Sequence, residues 1–193
     1  VKAFLAGILV TLIAIPIFGV LYLRSNFMPV AATDPPLLFE RTLARMGLHS
    51  RMDREAPTKD VSHLPTADLV AGATLYQKNC AFCHGLPNQP ASAASKGMFP
   101  RAPQLFTQED TVTDDPAGIT YWKVKNGIRL TGMPSFKAAL SEGEMWQLAA
   151  LMSRADKLPL EVMEALKPQP PSILISAGAA NPAPPFPGAE KPK

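Results

Sequence analysis

The chain holds two cysteines, and both lie in the pentapeptide Cys80-Ala81-Phe82-Cys83-His84, with a histidine directly behind the second. Three chemistries use such a cluster, and each sets different demands on the surrounding fold. A structural zinc site needs four ligands, usually with a second Cys/His pair downstream. No further cysteine exists here, and His49 and His63 lie upstream without metal-site spacing. A redox Cys-x-x-Cys belongs in a βαβ context, whereas the flanking residues read as helix. Covalent haem attachment uses all three residues: the thiols add across two porphyrin vinyl groups, and the adjacent imidazole becomes the proximal iron ligand. Two buried cysteines beside a core histidine are the bland alternative. The motif reading makes electron transfer the expected function.

The N-terminus constrains where that chemistry takes place. From Ala3 to Leu23 the polar side chains are Thr11 and Tyr22, and a helix of that length spans roughly 30 Å, the hydrocarbon thickness of a bilayer. Gly7, Pro16 and Gly19 weaken a soluble helix but are tolerated in membrane spans. Tyr22 and Arg24 suit the far interface. Two fates are open, a retained anchor or a cleaved signal peptide, since Val30-Ala31-Ala32 loosely resembles a small-residue cleavage site. The apolar run exceeds the roughly 7–15 residues of a signal core, which favours the anchor. Lys2 and Arg24 leave the orientation undecided by charge.

Composition divides the chain into a membrane segment (1–24), a tether (25–65), a compact domain (66–160) and a Pro/Ala-rich tail (161–193). The formal charge of +3 is spread over these parts, and no nucleic-acid partner is expected. Lys78, Lys96, Arg101, Lys123, Lys125 and Arg129 would steer an acidic partner if they gathered around a haem edge; an ordinary mixed surface is the other reading. In the tether, Leu37 to Met46 suit a short amphipathic helix with Phe39, Leu43 and Met46 on one side and Arg41 and Arg45 roughly opposite. Such a helix rests on a membrane surface or an integral-membrane partner, or packs on its own domain. The tail lacks the periodicity to build a core and is expected to be extended or disordered.

Within the compact domain, Thr66-Ala67-Asp68 resembles a helix start, and the helix continues through Leu69, Ala73, Leu75 and Tyr76 toward the cysteines. Ser141-Glu142-Gly143-Glu144 fits a capping box, followed by the apolar positions Met145, Trp146, Leu148, Ala149, Leu151 and Met152. Gly118 to Gly127 reads as a middle helix with a glycine stop.

Gly72-Ala73-x-Leu75-Tyr76-x3-Cys80-Ala81-x-Cys83-His84-Gly85 and Glu144-x-Trp146-x-Leu148 together resemble the N- and C-terminal helices of class I c-type cytochromes. The resemblance covers the compact domain and leaves out tether and tail. It implies an all-α haem domain behind an N-terminal transmembrane helix, one haem c held by Cys80 and Cys83, and two core helices crossing near perpendicularly, with Gly72 and Trp146 as the candidate contact. It also implies attachment outside the cytoplasm, which puts the haem domain on the periplasmic or equivalent face of the inner membrane. In that compartment a Cys80–Cys83 disulfide is a possible precursor.

The resemblance further suggests Met133, in Gly132-Met133-Pro134, as the second axial ligand to iron opposite His84. Met98, Met145, Met152, His49 and His63 are the weighed alternatives. Arg101-Ala102-Pro103-Gln104-Leu105 resembles the family segment whose proline carbonyl accepts the proximal imidazole N–H, so Pro103 is the candidate acceptor. Tyr121 or Trp122 is a candidate to reach a haem propionate, with core filling as the other reading, and Arg129 is a candidate to neutralise one. His/Met ligation raises the reduction potential and disfavours oxygen or peroxide chemistry.

The expected function is one-electron transfer between a redox donor and acceptor, at least one of them membrane-bound, without enzymatic activity of its own. A fixed haem subunit of a dehydrogenase or terminal oxidase is the first alternative. A haem enzyme or gas sensor with an open distal site is the second.

Overall fold

The structure, a computed structural model, describes residues 1–107 and 112–168. The tail stretch 169–193 lies outside the described residues. Eight helices occur among them and no strand: α1 (Lys2–Leu23), α2 (Glu40–Glu55), α3 (Thr66–Asn79), α4 (Ala81–His84), α5 (Ala93–Gly97), α6 (Ala117–Asn126), α7 (Glu142–Met152) and α8 (Leu160–Ala165).

α1 covers the apolar run and is long and apolar enough to cross a membrane. Its side chains face outward throughout, with none buried, as expected of a helix whose solvent is lipid. Thr11 Oγ1 donates to Gly7 O at 2.9 Å, which satisfies that hydroxyl within the helix.

The core forms where α3 and α7 pack together, with α6 and α8 closing the sides. Leu69, Ala73 and Tyr76 of α3 meet Leu148, Ala149, Leu151 and Met152 of α7, all nearly inaccessible to water. Side chains of this size each gain about 1.5–3 kcal/mol on full burial. α7 begins with the expected capping box: Ser141 Oγ accepts from Glu144 N, and Glu144 accepts from Ser141 N.

Gly72 makes the closest approach between α3 and α7. A Cβ built there would lie 2.5 Å from Gln147 O and 3.4 Å from Leu151 Cβ, so a larger residue would push the helices apart. The expected partner Trp146 is elsewhere. One position earlier on α7 is a turn of about 100°, and Trp146 faces α6, stacking on Tyr121 with ring centroids 4.3 Å apart. Gln147 also holds the crossing by its side chain, donating from Nε2 to Asp68 Oδ1 at 2.8 Å.

Packing runs past both boundaries that composition suggested. Beyond residue 160, Val162 and Leu166 are buried, and Gln77 Nε2 donates to Lys167 O at 2.5 Å. Before residue 66, Val61 is buried in the core, and Arg154 donates to the carbonyls of Val61 and Ser62 at 2.9 and 2.6 Å. α2 is also longer than the stretch Leu37 to Met46, continuing across Gly47 to Glu55. Its second half has polar residues between contacts, and tertiary partners stabilise it: Met52 is buried, Arg51 pairs with Glu55 at 2.6 Å, and Trp122 Nε1 donates to Glu55 at 3.0 Å.

Candidate haem site

Cys80, Cys83 and His84 sit on one turn that continues α3. Cys83 N and His84 N both donate to Cys80 O, at 3.0 and 2.9 Å, and Cys80 N donates to Tyr76 O at 2.8 Å. Gly85, with φ of 74°, ends the turn. Tyr76, fully buried, donates its hydroxyl to Gly85 O at 2.8 Å, so the core itself grips the far end of the motif. Burial pushes the Tyr76 phenol above its ordinary range, which keeps it a neutral donor.

A second segment is stitched to this turn. Ser92 Oγ donates to Phe82 O at 2.7 Å, and Leu105 N donates to His84 O at 3.3 Å. Gln104 Nε2 is shared among Cys83 O, Ser95 Oγ and Ala102 O at 3.1, 2.8 and 3.2 Å. Ser92, Ser95 and Gln104 were not legible as site residues in the sequence. Their partners are backbone carbonyls and a hydroxyl on two short helices and the segment after them, and no periodicity marks such contacts.

Pro103 O lies 2.8 Å from His84 Nδ1. A carbonyl accepts only, so Nδ1 carries the proton there, and the lone pair of the imidazole is at Nε2. Burial pulls the His84 pKa down and the Pro103 carbonyl opposes it; the net direction favours the neutral imidazole that a metal requires. Cys80 and Cys83 are free thiols. Burial, with a smaller effect from Cys83, pushes the Cys80 thiol up to about 12. Redox Cys-x-x-Cys pairs depend on a depressed thiol pKa, so this environment is the reverse of a thioredoxin-type centre.

The donor set therefore fits a covalently held haem: two partly buried thiols one turn apart and, directly after the second, a neutral imidazole oriented by Pro103.

Met133 lies in the loop that joins α6 to α7. Gly127 ends α6 with φ of 67°, and a Cβ there would lie 2.6–2.8 Å from backbone atoms of Met133, Pro134 and Ser135. Only glycine accepts both that dihedral and that contact. Ile128 N donates to Met133 O at 3.1 Å, and Phe136 N donates to Val124 O at 3.0 Å. Thr131 Oγ1 donates to Ile128 O at 2.6 Å and accepts from Met133 N at 3.1 Å. Met133 is half-buried against the core, and the Met98 sulfur rests on the same loop, 3.1 Å from where a Gly132 Cβ would stand.

Tyr121 and Trp122, the candidates for a propionate, have their polar atoms hydrogen-bonded within the protein. Tyr121 Oη donates to Glu142 at 3.2 Å, and Trp122 Nε1 is held by Glu55. The two rings line a cleft of about 440 Å³ with Glu55, Pro57, Lys125 and Trp146. Arg129 is exposed at the start of the methionine loop. Of the six basic residues considered for a charged rim, Lys123 pairs with Asp115 at 2.8 Å and Lys125 with Glu142 at 3.3 Å. His49 and His63 are exposed, with His63 Nε2 3.3 Å from Asp60.

A helical core whose first helix closes on Cys-x-x-Cys-His, with the histidine oriented by a proline carbonyl, is similar to a monohaem cytochrome c domain. It follows an N-terminal helix long and apolar enough to cross a membrane. Residues 67–152 match the family model described as cytochrome C oxidase, cbb3-type, subunit III. No curated protein matches the chain.

Proposed function

We propose that this protein transfers single electrons through one haem c bound to Cys80 and Cys83, with His84 and Met133 as axial ligands, on the periplasmic or equivalent face of its membrane. The chemistry that such a group supplies when bound is reversible one-electron exchange at iron. The observation that carries the reading is the Pro103 carbonyl 2.8 Å from His84 Nδ1. That hydrogen bond orients the imidazole, fixes its tautomer and raises its basicity toward iron. Met133 supports the second position because its loop is folded by its own hydrogen bonds, and a thioether stabilises the reduced metal. With both axial positions occupied by protein, oxygen and peroxide would first have to displace a side chain. An electron carrier follows, rather than an oxygen-activating enzyme.

The test is the absorption spectrum of purified wild type beside Met133→Ala. Wild type should show a c-type spectrum with the weak near-infrared sulfur-to-ferric-iron band, and the variant should lack that band. A wild type without the band would refute the Met133 assignment.

The match to an oxidase subunit family favours a second reading, in which the domain is a fixed haem subunit of a larger membrane complex. Its donor and acceptor would then be neighbouring subunits. Solubilisation in mild detergent separates the two: a free carrier migrates alone, and a subunit copurifies stoichiometrically.

A further inference from the structure

α2 has two apolar faces, and its own domain covers one of them. Met52 is buried and Leu48 is half-buried, and the same side is fastened by Glu55 to Trp122 and by Arg41 over the Phe99 ring at 5.8 Å. The strap that follows α2 lies directly on the domain, with Pro57 O against Gly118 and Lys59 over Trp146 at 4.9 Å. α2 is therefore part of the domain surface. At about 100° per residue, Phe39, Leu43 and Met46 fall on the opposite side. They are 65, 65 and 63% exposed, and Leu38 beside them is 83% exposed.

Single exposed apolar residues are ordinary, but a contiguous row of them marks a contact surface. Two observations indicate what covers this row. It is continuous with α1: residues 24–39 carry further exposed apolar side chains, Phe27 at 86% and Val30 at 85%. Their chain is turned back on itself, since Asp34 accepts from Val30 N and Ala31 N at 2.9 Å and Glu40 accepts from Leu37 N at 2.8 Å. The second observation is charge. From residue 24 to the end of α2 at Glu55 the chain carries Arg24, Arg41, Arg45, Arg51 and Arg54 against Asp34, Glu40, Asp53 and Glu55, a slight basic excess that does not oppose anionic headgroups.

We propose that Phe39, Leu43 and Met46 lie in the membrane–water interface, so that α2 seats the haem domain directly on the bilayer. The proposal rests on α1 crossing that bilayer. The haem domain is then held at one height and orientation, with α2 and the strap through Ser62, which Arg154 fastens to the domain, acting as the bracket.

The experiment uses the full haem-loaded chain in vesicles of phosphatidylethanolamine and phosphatidylglycerol. Photoreactive benzoylphenylalanine replaces Leu43, Met46 or, as a solvent-facing control, Lys157, which is 86% exposed. These side chains are exposed, and an unchanged haem spectrum verifies the fold of each variant. After illumination, mass spectrometry should find phospholipid adducts at positions 43 and 46 and none at 157. Protein adducts at 43 and 46 would replace lipid with a partner or a second copy and overturn the proposal. Absence of any adduct there would overturn it in favour of an open, solvated face. Alkaline carbonate washing checks the anchor separately; release of the protein would remove the premise.

Discussion

The turn carrying Cys80, Cys83 and His84 and the loop carrying Met133 are held in different ways. The turn is bound from outside itself: Tyr76 grips Gly85 from the core, Pro103 faces the imidazole, and Gln104 bridges three acceptors. The methionine loop is bound mostly to itself and to the end of α6, through Thr131 and Gly127. Leu130 at its tip is 93% exposed with φ of 61°. The contrast teaches that the Cys-x-x-Cys-His turn is organised by tertiary contacts and the methionine loop by local backbone geometry. Disturbing one should leave the other largely intact.

The largest effect is expected from removing the thiols. The small domain has a modest core, and a covalently held haem would add apolar contact beside the motif. Cys80→Ser with Cys83→Ser should yield protein without covalent haem and without a cooperative thermal transition; a native-like melt would show that the polypeptide alone suffices. Gly127→Val should come next. With φ of 67° and ψ of −176°, the backbone conformation alone costs a side-chain-bearing residue about 1–3 kcal/mol, and the overlap with Met133 O adds to it. The near-infrared sulfur band should disappear while the haem stays covalently attached. Loss of attachment as well would break the proposed independence of the two sides.

Gln104→Ala probes the other side. It removes the donor to Cys83 O and Ser95 Oγ, a loss of about 1–3 kcal/mol, visible as a lower Tm of the holoprotein with the sulfur band retained. If the band were lost instead, the proximal network would be shaping the distal loop. The smallest effect concerns pH. Hydrogen bonds from Ser141 hold the Glu144 carboxyl below its ordinary range. A depressed folded pKa contributes stability above the unfolded value, and that contribution fades as pH falls through the folded one. The wild-type Tm should therefore fall below about pH 4.5 more steeply than that of Glu144→Gln. Parallel curves would show that the cap carries no charge-dependent stability.

Much of this was legible in the sequence for identifiable reasons. Helix periodicity, the Ser141/Glu144 cap and the Gly127 stop are local patterns, and the structure builds helices at each. The i, i+4 pair Val162 and Leu166 was equally readable as a core-facing turn, yet the proline-rich composition after it masked the signal. Trp146 illustrates the opposite limit. One residue along α7 changes which helix a side chain meets, and no local pattern separates Gln147 from Trp146 as the neighbour of Gly72.

The sequence by itself determined the Cys-x-x-Cys-His motif and a helix long and apolar enough to cross a membrane, because a short motif and a long apolar run are contiguous and need no partner to be recognised. Tertiary structure alone decided that Tyr121 and Trp122 donate to Glu142 and Glu55. It also decided that Gln104 braces Cys83 and that α2 presents its second apolar face outward. Those outcomes depend on helix rotation and on contacts between residues distant in the chain, and such contacts are set by how the whole core packs.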